Sequence, residues 1–80
     1  MPKLRVISGK ETVKIFEDLG FMVDVQKGSH IKLKRINVSG IKQVLAIPNH
    51  KEIDRGTLKA IINQASQYIP EAELRKFFYN

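Results

Sequence analysis

The sequence predicts an α+β fold of two layers, with three antiparallel strands carrying helices on one face. Three observations predict it. A capped amphipathic segment comes first, two alternating runs then flank a Gly-Ser turn and lead to a third apolar run, and helical periodicity returns for the rest of the chain. The order is α-β-β-β-α with a short C-terminal helical extension. Eighty residues suit one domain over 1–80.

Ser8-Gly9-Lys10-Glu11 has the form of a capping box, and Val13, Ile15, Phe16 and Leu19 follow at helical spacing. Gly20 is a stop signal, so the first helix covers about 9–19. Phe21, Val23 and Val25 alternate with Met22, Asp24 and Gln26, which predicts a half-buried strand with the first three on its inner face. Lys27-Gly28-Ser29 is a turn, with Gly28 suited to a positive φ. His30 to Lys34 alternates again: Ile31 and Leu33 face the core, while His30, Lys32 and Lys34 share the opposite face. Asn37 to Gly40 is loop chemistry, Gln43 to Ile47 is a third strand, and Pro48 stops it. Asp54 caps a helix through about Gln67, with Leu58, Ile61, Ile62 and Ala65 as its apolar stripe. Pro70 at a first helical position opens a last short helix that turns Leu74, Phe77 and Phe78 inward.

The net charge of +6 is concentrated. Between Val25 and Lys51 stand Lys27, Lys32, Lys34, Arg35, Lys42 and Lys51, no Asp or Glu, and both histidines, whereas acids and bases balance elsewhere. A focused positive field draws polyanions such as RNA. No apolar run approaches the ~20 residues of a bilayer span, and Met1-Pro2-Lys3-Leu4-Arg5 lacks a signal-peptide core. With no cysteine, disulfide and thiolate-metal frameworks are excluded. Two imidazoles without neighbouring Asp, Glu or Cys make a poor ligand set, so no metal and no cofactor is expected. These features point to a cytoplasmic protein with an acidic partner.

Leu19-Gly20-Phe21, Gly28-Ser29-His30, Ile47-Pro48-Asn49-His50 and Gly56-Thr57-Leu58, continuing into Ile61-Ile62-Asn63-Gln64-Ala65, occur in this order along nearly the whole chain. In that arrangement the sequence resembles the HicA family of small toxins from bacterial and archaeal toxin–antitoxin modules. The resemblance implies a fold like the double-stranded-RNA-binding domain. It also implies ribosome-independent cleavage of mRNA, with His30 catalytic, and silencing by an acidic-leaning HicB antitoxin that hides this histidine. Two segments depart from the family's pattern: Arg35 to Lys42 is more apolar and less basic, and Gln67-Tyr68-Ile69-Pro70 replaces a glycine-containing break between the last helices.

The residues themselves support RNA chemistry. RNA carries its own nucleophile, the 2′-hydroxyl, so cleavage needs a base, cations around the phosphate and a proton for the leaving oxygen. His30 is the candidate base. Lys27, Gly28, Ser29, Lys32, Lys34 and Arg35 are the candidate RNA contacts, and His50 has a possible secondary part. Two other readings use the same charge: an RNA-binding module that does not cut, and a basic domain that docks an acidic protein.

Overall fold

The computed structural model describes residues 3–80; Met1-Pro2 of the N-terminal stretch discussed above lie outside the described residues. Ser8 opens α1 (Gly9–Asp18) through a complete capping box. Its hydroxyl accepts from the Glu11 N–H at 3.0 Å, and the Glu11 carboxylate accepts from the Ser8 N–H at 2.9 Å. The helix buries Thr12, Val13 and Phe16, and the Thr12 hydroxyl donates to the Ser8 carbonyl at 2.8 Å, which makes its full burial tolerable.

Three strands follow, β1 (Met22–Lys27), β2 (His30–Ile36) and β3 (Lys42–Pro48), in one antiparallel sheet of order β1-β2-β3. Ile31, Leu33, Leu45 and Ile47 fill its inner face under α1 and α2 (Arg55–Ala65), and the outer face is uncovered. This is the expected two-layer α+β architecture with a double-stranded-RNA-binding-domain-like order of elements. The Asp54 carboxylate caps α2 by accepting from the Thr57 N–H at 3.0 Å and hydroxyl at 2.6 Å. α2 ends two residues sooner than the periodicity suggested, and Pro70 is the N-cap of α3 (Glu71–Phe78) rather than its first residue. Leu74 and Phe78 of α3 are buried and Phe77 partly so, with the Phe78 ring 5.5 Å from Phe16. Each fully buried aliphatic or phenyl side chain in this core contributes about 1.5–3 kcal/mol.

Expectation and structure part at β1. Val23 pairs with Leu33, but Val25 pairs with Lys32, so Asp24 is an inserted bulge residue. The insertion breaks the alternation after Val23. Val25 is thereby delivered to the outer face beside Lys32, and Gln26 faces inward beside Ile31. Of the three residues expected to face the core only Phe21 is buried; Val23 and Val25 remain 44% and 47% exposed on an edge strand.

Sequence periodicity also gave no sign of how the ends meet. Leu4 bridges Tyr79, Arg5 N–H donates to the Phe78 carbonyl at 2.8 Å, and the Arg5 guanidinium donates to the Phe77 carbonyl at 2.7 Å. The C-terminal helix is therefore tied to the segment that precedes α1. Among the described residues no helix is long and apolar enough to cross a membrane.

The caps are titratable. Thr57, chiefly through its hydroxyl, holds Asp54 below its ordinary value of 3.8, and the Ser8 N–H holds Glu11 below 4.5. Lowered folded values mean the stabilisation is complete above the ordinary carboxylate range and is lost as pH falls through the folded values. Asp54→Asn keeps an acceptor at the cap without titrating, so its melting temperature should fall less than the parent's between about pH 5 and about pH 2. Circular-dichroism melts check this; parallel curves would show that the cap is not linked to the acid loss.

Candidate nucleic-acid interface

Gly28 and Ser29 form a two-residue connection closed by the Lys27–His30 pair. Gly28 has φ 60° and Ser29 does not share the positive sign, the pattern of a type II′ hairpin turn. A Cβ on Gly28 would meet nothing within 4 Å, so the demand for glycine here is torsional. On its other side His30 pairs with Pro48, and the Ser29 carbonyl accepts from the Asn49 N–H at 2.7 Å. The histidine is thus fixed at the end of the central strand, between two neighbours, with its side chain exposed.

The register defines the outer face row by row. Lys27, His30 and Pro48 form the first; Val25, Lys32 and Ala46 the second; Met22, Lys34 and Val44 the third; Ile36 and Lys42 the last. Successive rows are about 6.6 Å apart. Cations therefore alternate with exposed apolar side chains across one open surface, with the imidazole at one end. Lys34 is partly engaged, its Nζ 3.3 Å from Asp24 Oδ1, but a half-exposed pair of this kind is worth at most about 1 kcal/mol and yields readily to a stronger anion. No carboxylate among the described residues pairs with either histidine.

Arg35 does not belong to this surface, which corrects the expectation of an RNA contact there. It lies on the inner face, and its fork donates to Gln43 Oε1 at 2.7 Å, to the Leu19 carbonyl at 2.9 Å and to the Tyr68 carbonyl at 3.3 Å. The guanidinium carbon sits 4.8 Å from the centre of the Phe21 ring. Arg35 thus binds the carbonyl ends that follow α1 and α2 to the sheet. Its parity with Ile31 and Leu33 was the signal that placed it inside.

His50 lies away from the open face, in the loop between β3 and α2. Its carbonyl accepts from the Gly9 N–H at 2.8 Å, and its exposed side chain borders a cavity together with Ser8, Lys10, Asn49 and Lys51. A Cβ on Gly9 would overlap the Pro48 carbonyl oxygen and lie 3.0 Å from Asn49 Cα. Only glycine lets α1 approach the exit of β3 this closely. Sequence reasoning assigned Gly9 and Lys10 to a helix start alone and so missed that they meet the histidine-bearing loop; the Gly-Lys pair beside Ser8 was the available hint.

The family model described as the HicA toxin of bacterial toxin–antitoxin matches residues 9–66, well over half of the chain and inclusive of every residue of the open face. No curated protein and no solved structure matches the chain.

Because Arg35 acts through three acceptors and a ring, Arg35→Lys should lower stability by about 1–3 kcal/mol although the charge is kept. Urea denaturation reads this directly, and an unchanged midpoint would contradict the bridging role.

Proposed function

Since the chain belongs to the HicA toxin family, we propose that it is an mRNA interferase, a ribosome-independent endoribonuclease of the cytoplasm that cuts transcripts with His30 as general base. One observation carries the reading: an exposed imidazole, anchored by strand pairing on both sides, stands at the end of an open face studded with Lys27, Lys32, Lys34 and Lys42.

In this mechanism the RNA phosphate lies over the lysines and the ribose 2′-hydroxyl meets His30. A ring nitrogen takes the hydroxyl proton, O2′ attacks phosphorus, and the bond from phosphorus to the 5′-oxygen breaks. The departing oxygen takes a proton from solvent, which leaves a 2′,3′-cyclic phosphate and a free 5′-hydroxyl. Lys27 and Lys32 flank the phosphate, and Lys34 joins them by exchanging Asp24 for it. The Ser29 hydroxyl and Gly28 N–H add hydrogen bonds at the turn. The nucleophile comes from the substrate, so neither a metal nor a covalent enzyme intermediate is required.

The family's partner, a HicB antitoxin, would silence the enzyme by covering the segment 28–35. Exposed Met22, Val25, Val44 and Ile36 between the lysines suit this, because a protein partner gains from apolar contact where RNA gains from charge. Antitoxin and RNA would then exclude one another.

The decisive experiment incubates the purified parent and His30→Ala proteins with a defined RNA in EDTA. Cleavage should fall at least about 100-fold in the variant, the ordinary worth of a general base; cleavage at the parental rate refutes the assignment. His30→Ala should still bind single-stranded RNA. Each phosphate contact contributes about 0.7 to the salt slope, so log affinity against log salt should run at about −3 or steeper. A flat dependence would remove the electrostatic basis of the reading.

A further inference from the structure

Beside the first turn of α1 is a cavity of about 360 Å³ bordered by Ser8, Lys10, Asn49, His50 and Lys51. The open face does not include it, and none of the proposed chemistry uses it. Its position is fixed by three backbone hydrogen bonds from the loop that follows β3. Asn49 N–H donates to Ser29 at 2.7 Å, the His50 carbonyl accepts from Gly9 at 2.8 Å, and Ile53 N–H donates to Ile7 at 2.9 Å. The loop backbone is thereby stitched at three points to the Gly28-Ser29 turn and to the start of α1.

Those side chains share one chemistry. Two lysines, a histidine and an asparagine border the cavity from two segments far apart in sequence. No carboxylate borders the cavity; Glu11 accepts from the Ser8 N–H, and Asp54, which caps α2 through Thr57, is near enough to feel the charge of His50. Such a set recognises a phosphate. Lys10 and Asn49 also border an adjoining cavity of about 180 Å³ with Val13, Val23, Gln26 and Ile31, so the recess continues as a groove along the edge of the sheet. A groove favours a strand over a free ion.

Resting on the nuclease reading, we propose that this cavity is a second phosphate subsite, which holds the RNA backbone at a nucleotide neighbouring the scissile bond. Lys10 and Lys51 supply the charge, and His50 and Asn49 the hydrogen bonds. The site positions substrate and takes no part in bond breaking. The Asn49–Ser29 hydrogen bond couples it to His30, so a phosphate seated here sets which ribose arrives at the base.

The test compares the full-length parent with a Lys10→Ala/Lys51→Ala protein on an RNA of about ten nucleotides and on a dinucleotide that has a single phosphate. Losing charged contacts to one phosphate should raise KM for the long RNA about tenfold, with kcat within about twofold. The preference for long RNA over dinucleotide should shrink by the same factor. In a His30→Ala background the two substitutions should reduce the salt slope of RNA binding by about 0.7, the share of one phosphate. Both lysines are exposed, and circular dichroism verifies that the variant folds; Lys10→Gln/Lys51→Gln repeats the measurement with less change of shape. Unchanged KM and slope would overturn the subsite. Inorganic phosphate protecting the Lys10 and Lys51 resonances in the absence of any length preference would mark a free-anion site and overturn the strand proposal. The two readings fail separately: a parent that does not cut RNA sinks the nuclease assignment, while the binding slopes still decide the subsite.

Discussion

The close approach of α1 to the end of β3 organises this molecule. Glycine is the residue that loses most backbone freedom on folding, so its use as the first residue of a helix calls for a reason. Here any side chain would occupy the place of the Pro48 carbonyl. With Gly9 in place, α1 settles onto the sheet far enough for Val13 and Phe16 to reach the core and for its own N–H to bond the His50 carbonyl. Three segments remote in sequence, 7–9, 29–30 and 48–53, then lie against one another. Both histidines are at this junction, so their placement depends on the same missing methyl group.

Positive charge is divided between two tasks. Arg35, which follows Lys34 in sequence, is consumed by structure: it satisfies carbonyls after α1 and α2 and stacks on Phe21. It also touches the segment Gln67 to Pro70, where the chain departs from the family's pattern. The last carbonyls of α2 are met by the Ser66, Gln67, Tyr68 and Ile69 N–H groups and the Ser66 hydroxyl, and the Arg35 fork donates to the Tyr68 carbonyl in the segment that follows. Lys27, Lys32 and Lys42 stay in water, where a compact, hydrated ammonium suits transient anion contact. The division follows the geometry of the two head groups and the alternation of a strand.

Much of this was legible beforehand. The capping box at Ser8, the Gly28-Ser29 turn, the inward Ile31 and Leu33 and the cap at Asp54 are local signals, each written within a few residues. The outer-face placement of His30, Lys32 and Lys34 followed from period two alone. What escaped was non-local. The bulge at Asp24 is a property of the pair β1–β2, and nothing in Met22–Lys27 by itself marks which residue is extra. The bridge between Leu4 and Tyr79 joins opposite ends of the chain. Lys10 and Lys51 become neighbours only because Gly9 has no side chain, a fact about the space around it. Arg35 is a different case: its parity with Ile31 and Leu33 marks the inner face, while its charge is of the kind that usually stays in water.

The irregularity at Asp24 also bears on self-association. β1 is an outer strand with half-exposed valines, a composition that in a flat ribbon invites a second molecule to zip alongside and seed fibres. One unpaired residue bends the ribbon, interrupts its row of amide donors and sets a carboxylate in the gap. The bulge therefore makes the edge of the hairpin that carries the histidine a poorer template for pairing with a second copy.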